Sequence, residues 1–456
     1  MLQTFNPSLK SPMVMPGIPW IGNALSFVSA NGVSVEFLQQ AQRECGDVAH
    51  FKAMNQSFYL VSDPDLVRQV LLERVQEFPK PEAVIQKSNG LGRFLGHGIL
   101  TAGYEEWRPQ RKLIQPLMQH KHIAEYAETM ARIGDQLLST WQPGEQRDIH
   151  ADMTQLTMWI IAETMFGISV EQSEELEAIG RDAQKIVIED LASPFPSFLT
   201  KQENRTERIN TALTNLVGRF VAERRAKGSS DRHDLLSILM ETRDENGQPV
   251  SEEFLRNNIL TMFFAGHETT ANTLTWAFYY LSQHSYILQE LQQEVDAVLA
   301  SGRLPTINDL PQLPYTLMVI KETMRIQPTV AMIPRFIDRD MSLGDYQLKA
   351  GSFVLISPYV LHRDPRRWNS PDNFVPIRFS EDNEKKIEKY AYLPFGGGPR
   401  ICIGNHFALM EAHILLALIV SRFHLRLASG AKIEPLRYVT CAPKHGLPMV
   451  IEHRGS

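Results

Sequence analysis

A single thiol near the end of the chain follows a turn that is almost bare of side chains. Three glycines and a proline, 396–399, precede Cys402, and an apolar run with helical spacing, 405–423, follows it. Such a turn is tight and carries little bulk, so a large flat cofactor can approach the sulfur. The N–H groups at a helix start favour the thiolate. A glycine-rich turn beside a buried, inert cysteine is the alternative interpretation.

A second chemical feature interrupts a long apolar helix predicted over 251–284. Residues 266–270 read Gly-His-Glu-Thr-Thr. An interior glycine costs about 1 kcal/mol relative to alanine, and a threonine that bonds back to the preceding turn bends a helix. We therefore expect a local distortion with a chemical purpose, or else a polar face turned to solvent. A zinc-protease helix is excluded, because its His-Glu-x-x-His pattern needs histidine where Ala271 stands.

The elements that must position these residues are mostly helical. Apolar residues three or four apart predict helices over 35–45, 65–74, 122–141, 152–166, 173–190, 206–227, 235–242 and 251–284. The last would be about 50 Å long and begins after Ser251, a favourable N-cap. Strands are predicted over 48–52 and 58–61, as a hairpin, and over 353–358 and 423–427.

Composition excludes several classes of protein. The net charge is −6, from 46 basic and 52 acidic residues, which disfavours nucleic-acid binding and attraction to anionic membranes. Three cysteines cannot build a disulfide framework or a four-thiolate zinc site, and we expect Cys45 and Cys441 to be packing residues. The proline-rich start, with no apolar run of about 20 residues, predicts no transmembrane anchor and no secretory signal, hence a cytoplasmic protein.

The cysteine segment resembles the haem-ligand signature of the cytochrome P-450 family. Residues 395–404 read Phe-Gly-Gly-Gly-Pro-Arg-Ile-Cys-Ile-Gly and match Phe-x-x-Gly-x-Arg-x-Cys-x-Gly at every fixed position. The resemblance implies haem b with the Cys402 thiolate as axial iron ligand, Arg400 as a partner of a haem propionate and Phe395 as part of the haem site. A thiolate ligand pushes electron density onto iron and favours O–O cleavage.

Residues 265–270 resemble the acid–alcohol motif of the same family. On that match Glu268 relays protons and Thr269 places its hydroxyl beside bound dioxygen. The chemistry needs both groups, because protons must reach oxygen in a pocket that is otherwise kept dry.

Further charged residues match the family's supporting positions. Glu322 and Arg325, on a helix that Pro328 closes, and Arg378, in a Pro-x-Arg-Phe coil, resemble a buried charge triad with a structural role. Trp107, Arg111 and Arg335 resemble residues that bind the haem propionates. Trp107 and Arg111 are four apart and would share a helix face, with Pro109 tolerated because it would lie in the first turn.

Substrate contacts are implied by position alone. The family's pocket segments correspond to Ala265, Thr329, Val330, Ala331, Met332, Val439 and Thr440. Phe195, Phe198 and the region 81–94 would form the entrance. Mostly apolar side chains at these positions favour a lipophilic small molecule.

The resemblance covers nearly the whole chain and implies a mainly α fold with small β-sheets and a long central helix over the haem. Since the motifs converge on one haem, residues 1–456 are predicted to form a single domain. The implied activity is insertion of one oxygen atom from O2, by hydroxylation or epoxidation. The unanchored start favours a soluble bacterial-type member.

The chain ends directly after the predicted haem domain, so electrons would come from a separate ferredoxin or flavodoxin with its reductase. We expect that partner to dock on the Cys402 side, with Lys385, Lys386 and Lys389 as candidate contacts, and the enzyme to be a monomer. A peroxide-dependent haem-thiolate enzyme and a non-catalytic haem sensor are the alternatives, and the presence of Glu268 and Thr269 argues against both.

Overall fold

The computed structural model describes residues 9–29, 31–81, 90–192, 203–227, 234–244, 246–299 and 302–454. Its α-helices are Ala24–Phe27, Val35–Cys45, Pro64–Arg68, Gly92–Leu95, Tyr104–Ile114, His120–Ile123, Ala127–Leu138, Ile149–Ile161, Val170–Ala192, Glu203–Lys227, Leu235–Glu241, Glu252–Gln283, Ser285–Val298, Pro314–Ile326, Pro358–Leu361, Glu381–Glu384 and Asn405–Arg422. We call Glu252–Gln283 the long helix, Val170–Ala192 the crossing helix, Asn405–Arg422 the cysteine helix and residues 395–404 the cysteine loop.

Several predicted helices end in tighter or wider turns. π-Helical turns at Gln69–Glu73 and Ala162–Phe166 complete the predictions 65–74 and 152–166. The predicted helix 122–141 is divided by a 3-10 turn, Ala124–Tyr126. Further 3-10 turns are Gln115–Met118, Leu310–Gln312, Pro376–Phe379 and Gly398–Arg400.

The strands form small sheets at the edges of the helical body. The largest sheet in the described residues has the order Met13–Val14, Val48–Ala53, Gln56–Val61, Ser352–Ile356, Ile333–Ile337. Its predicted hairpin is confirmed, with Val48 opposite Val61 and Phe51 opposite Phe58. The other sheets join Phe423–Leu427, Pro448–His453 and Gln146–Asp148, then Cys441–Pro443, Pro435–Arg437, Gly32–Val33 and Val28–Ser29, and finally Met341–Leu343 and Tyr346–Leu348.

The long helix is regular from end to end, so the predicted distortion is wrong. Ser251 caps it, its hydroxyl accepting from the Phe254 N–H at 3.1 Å. Gly266 is explained by packing instead, because a Cβ at that position would lie 2.2 Å from Cδ1 of Ile161. The glycine lets the long helix approach the neighbouring helix Ile149–Ile161 closely.

The main hydrophobic core surrounds the long helix and the cysteine helix, and two smaller clusters cover the largest sheet. The predicted class, mainly α with small β-sheets, is confirmed. In the part of the chain that the structure describes, no helix is long and apolar enough to span a membrane.

Candidate functional site

The cysteine loop is fixed by contacts that only glycine permits. Gly398 has a φ of +68°, and a Cβ there would lie 1.8 Å from the carbonyl oxygen of Leu71. The backbone N–H of Cys402 donates to the Phe395 carbonyl at 3.0 Å. The loop is therefore pressed against the turn Gln69–Glu73 and delivers Cys402 just before the cysteine helix.

Protein encloses Cys402 on most sides, although its side chain stays open to solvent. Burial raises the pKa of the Cys402 thiol, against the opposing effects of the Gly404 N–H and the Arg111 charge. The Gly404 N–H at the helix start therefore favours the thiolate as expected, but desolvation outweighs this effect in the protein alone. A metal ion at the sulfur would supply the missing charge, since a coordinating thiol is deprotonated outright.

Arg111 and Trp107 approach the cysteine loop from the helix Tyr104–Ile114. Nη1 of Arg111 donates to the Ile401 carbonyl at 2.8 Å. The Trp107 ring lies beneath the Arg400 guanidinium, with Cζ of Arg400 4.7 Å from the ring centroid. Pro109 lies in the second turn, not the first as predicted, because the helix begins at Tyr104. It therefore leaves one carbonyl of the first turn without its helical partner.

Three cations meet beside the loop. Arg335 is 4% exposed, and among the described residues its Nη1 donates to the carbonyl of Pro334 alone, at 2.9 Å. Burial lowers the pKa of Arg335 to about 10, and burial together with the Arg335 charge lowers the pKa of Arg400 to about 10. Burial, Arg400 and Arg335 hold the pKa of Lys80 well below its usual range.

These cations have no carboxylate partner among the residues that the structure describes. A buried charge such as Arg335 is costly unless an opposite charge joins it. Lys80 and Arg400 are half-buried and donate to the carbonyls of Leu100 and Ala102, and they add charge of the same sign, so the cluster favours an anion. Guanidinium groups bind carboxylates through paired hydrogen bonds. The donor set therefore fits the two propionates of a haem, beside a thiol that fits its iron.

Lys80 was missed by the sequence analysis. It precedes Pro81 in an extended segment, and the carbonyl of Pro79 accepts from the Phe336 N–H at 2.8 Å. This contact holds Lys80 beside Arg335, which is far away along the chain. No local pattern marks such a residue, because the long-range pairing of backbone segments places it.

One face of the long helix is accessible around residues 265–269, whereas the residues before and after this stretch are mostly buried. Ala265 is exposed, and Glu268 and Thr269 are half-buried. The Thr269 hydroxyl donates to the Ala265 carbonyl at 2.8 Å. Oε1 of Glu268 accepts from the Thr440 hydroxyl and from Nε2 of Gln184, the latter at 3.0 Å. Gln184 is a second residue that the sequence analysis missed.

The structure brings the three charges of the predicted triad together. Glu322 and Arg325 are fully buried. Nε and Nη2 of Arg325 donate to the two Glu322 oxygens at 2.6 and 2.8 Å, and Arg378 lies 3.3 Å from the same carboxylate. Arg325 also donates to the backbone carbonyls of His362, Pro371 and Asn373.

The residues predicted to contact the substrate differ in their exposure and in the residues that they contact. Val330 is 40% exposed, and Thr329 shares a hydrogen bond of 3.2 Å with Thr273 of the long helix. Met332 packs on the cluster near the N-terminal sheet, and Val439 packs on the main core. The Ala331 carbonyl accepts from Ser357 at 2.9 Å. Phe195, Phe198 and residues 82–89 of the predicted entrance lie outside the described residues.

Cys441 differs from Cys402 in its exposure and in its contacts. It is 1% exposed within the strand Cys441–Pro443. Its sulfur lies 2.9 Å from Nε2 of Gln327, and its carbonyl accepts from the Trp276 indole at 2.9 Å. Burial is the main cause of its raised pKa.

Comparison with known proteins gives one consistent family. Residues 12–445 match the family model described as Cytochrome P450. Cyclooctatin synthase of Streptomyces melanosporofaciens is 33% identical over 428 residues, which are 92% of this chain and 91% of that protein. Cyclooctat-9-en-7-ol 5-monooxygenase of the same organism is 34% identical over 417 residues, 90% and 89% of the two chains.

A solved structure shares the fold. The haem domain of cytochrome P450DA aligns with a TM-score of 0.87 over 98% of both chains, at 24% identity. Fold, family match and relatives together define a haem-thiolate oxidoreductase. The chain belongs to the cytochrome P450 family, as a bacterial-type member. It uses haem held by a cysteine thiolate and is a monooxygenase that acts on small molecules with O2 and a redox partner.

Proposed function

We propose that Cys402 is the cysteine whose thiolate binds the haem iron. The observation that carries this proposal is the contrast between the two cysteines described above. The Cys402 side chain is open to solvent at the end of the cysteine loop, beside cations that have no carboxylate partner in the described part of the chain. The Cys441 side chain, which belongs to a strand, is buried and packs against its neighbours.

The residues that would hold haem surround this thiol. Arg335, Arg400 and Lys80 would neutralise its propionates, Trp107 would support the Arg400 guanidinium, and Phe395 belongs to the loop itself. Arg111 would act mainly on the loop, through its bond to Ile401. Bound at this thiol, haem supplies the activation of dioxygen that side chains lack.

The contribution of the protein to catalysis is proton delivery. The overall reaction is RH + O2 + 2 electrons + 2 protons giving ROH + H2O. We propose that Glu268 takes protons from solvent and passes them on, and that the Thr269 hydroxyl presents one at the open face of the long helix. A positioned acid of this kind contributes about 100-fold or more to rate.

The substrate is proposed to be a lipophilic molecule with a hydrocarbon skeleton. Ala265 and Val330 expose apolar surface on two separate elements. The relatives named cyclooctatin synthase and cyclooctat-9-en-7-ol 5-monooxygenase suggest alicyclic compounds as the first to test. Hydroxylation is the reaction that we expect, with epoxidation where the substrate offers an alkene.

Electrons are proposed to come from a separate ferredoxin or flavodoxin with its reductase, docking on the Cys402 side. Lys385 already pairs with Glu381 at 2.7 Å, and Lys386 lies 3.2 Å from Asn383, so these two contribute less free charge than the sequence suggests. We further propose that residues 1–456 form one domain and that the enzyme is a cytoplasmic monomer.

The proposal is tested by screening alicyclic alkenes and alcohols for a spin-state change, followed by product analysis with ferredoxin and reductase. Glu268→Gln should slow product formation at least tenfold, and Thr269→Ala should divert oxygen to peroxide. Thr154→Val is the control, since in the described residues the Thr154 hydroxyl bonds within its own helix, to the His150 carbonyl. Turnover with peroxide but not with reduced ferredoxin would favour the peroxide-dependent alternative, and ligand binding without any oxygenated product would favour a sensor.

A further inference from the structure

The carboxylate of Glu268 is held by residues from two other parts of the chain. Thr440, in the turn after the strand Pro435–Arg437, and Gln184, on the crossing helix, both donate to Oε1. Among the hydrogen bonds of the described residues, none engages Oε2 of Glu268. The carboxylate thus has one bound oxygen and one oxygen left to exchange protons.

Gln184 is placed by a close helix crossing. A Cβ at Gly180 would lie 2.0 Å from the Phe264 ring, so the crossing and long helices touch there. On either side of that contact, Glu177 pairs with His267 at 3.0 Å and Gln184 bonds Glu268. Residues 177, 180 and 184 share one helix face, which fixes where the Gln184 amide can reach.

Thr440 is placed by its neighbour Cys441. The Cys441 carbonyl accepts from the Trp276 indole of the long helix at 2.9 Å, and its N–H donates to the Thr329 carbonyl at 2.8 Å. The bond from Trp276 ties the turn directly to the helix that carries Glu268. The bond to Thr329 ties it indirectly, because the Thr329 hydroxyl lies 3.2 Å from that of Thr273 on the same helix. The Thr440 hydroxyl therefore donates to the Glu268 carboxylate, although the position of Thr440 in the chain suggested a substrate contact.

We propose that Gln184 and Thr440 are positioning residues that hold Glu268 in the orientation from which it delivers protons. This inference rests on the proton-delivering role of Glu268 proposed above. Both donors fix Oε1, so that Oε2 faces its proton partners in a constant orientation. Removing either donor lets the carboxylate rotate and slows each proton transfer, without altering how the enzyme binds a small molecule.

The test uses the haem-loaded enzyme, fed with electrons by a ferredoxin and its reductase, with O2 as the only oxidant. The rate of O2 consumption and its solvent deuterium isotope effect are measured for Thr440→Val and Gln184→Met. Each variant should slow consumption about fivefold, the effect expected for one hydrogen bond, and should raise the isotope effect. Thr440→Ser keeps the hydroxyl and should restore both values.

Two controls isolate the contact with Glu268. Gln172→Met removes a glutamine from the same helix whose amide bonds the surface residue Glu223, and should change neither value. In a Glu268→Gln background, Thr440→Val and Gln184→Met should slow the enzyme no further, because residues that act through one group are not additive.

Equal slowing by Thr440→Val in the presence and absence of Glu268 would overturn the inference, as would unchanged rates in both single variants. If Glu268→Gln itself consumes O2 as fast as the unmodified enzyme, the proposed role of Glu268 fails instead. An unchanged thiolate spectrum of the reduced, carbon-monoxide-bound protein shows that each variant is folded.

Discussion

Burying a guanidinium without a carboxylate partner costs free energy, and an anionic ligand that binds the guanidinium removes that cost. In the described structure Arg335 bonds the carbonyl of Pro334 and no carboxylate, and Lys80 and Arg400 add charge of the same sign. The cluster is unfavourable for the protein alone and becomes favourable when an anion enters. At the scale of single residues, neutralisation of this cluster by the haem propionates would therefore supply much of the electrostatic free energy of haem binding.

Arg335→Gln should therefore act in opposite directions on the two forms of the protein. It should raise the melting temperature of the haem-free protein by removing an uncompensated charge. It should speed loss of haem to an acceptor globin about tenfold, the effect of about 1.5 kcal/mol for a bond to a charged group. Arg339→Gln, at a 60% exposed side chain, should change neither, and a destabilised haem-free Arg335→Gln protein would contradict the account.

At the scale of elements, one buried ion pair joins the crossing helix to the long helix. Nε2 of His267 lies 3.0 Å from Glu177, and Nδ1 lies 2.7 Å from the Phe263 carbonyl. Both ring nitrogens thus face acceptors, and only the protonated imidazolium has two N–H donors. Burial alone would lower the pKa of His267, but the bond and charge of Glu177 outweigh it and raise that pKa.

The pair makes stability depend on pH in a defined direction. Since the pKa of His267 is raised in the folded protein, its contribution is complete below about pH 6.5, the ordinary value for histidine. It is lost as the pH rises through the raised value. Glu177→Gln should therefore cost about 3 kcal/mol in urea unfolding at pH 6 and much less at pH 9.

The exposed pair His424–Glu452, 3.8 Å apart, provides the matched control. Glu452→Gln should change the free energy of unfolding by less than about 1 kcal/mol at either pH. A cost of Glu177→Gln that stays constant between pH 6 and pH 9 would contradict the pH dependence expected of this pair.

At the scale of the whole molecule, the triad joins segments that are distant in the chain. Glu322 accepts from Arg325, from Arg378 and from the Val375 N–H at 2.7 Å. The helix Pro314–Ile326 is thereby joined to the irregular coil that leads to the cysteine loop. The coil has little regular backbone pairing of its own. The ion pairs and the hydrogen bond to Glu322 therefore hold it in place.

Glu322→Gln should lower the free energy of unfolding by about 3–5 kcal/mol, because it leaves buried guanidiniums without their counter-charge. Lys385→Ala, which removes an exposed i,i+4 pair, should cost no more than about 0.5 kcal/mol. Thermal and urea unfolding of the haem-loaded variants measure both. Equal losses of unfolding free energy in the two variants would contradict the expectation that the buried triad stabilises the protein more than an exposed pair does.

Local signals in the sequence predicted most elements. Periodicity predicted the long helix and its Ser251 cap, and the glycine turn predicted where Cys402 would lie. The sequence does not reveal residues that tertiary contacts place. Lys80 depends on a long-range backbone hydrogen bond between Phe336 and Pro79, and Gln184 depends on a helix crossing at Gly180. Gly266 was misread for the same reason, since its packing partner Ile161 lies on another helix.

The most direct test of the account is the spectrum of the reduced, carbon-monoxide-bound protein in three forms. The unmodified protein and Cys441→Ser should both show the thiolate Soret band, because Cys441 only packs within its strand. Cys402→Ser should lose that band even where haem remains bound. Retention of the band in Cys402→Ser, or its loss in Cys441→Ser, would contradict the assignment of Cys402 as the iron ligand.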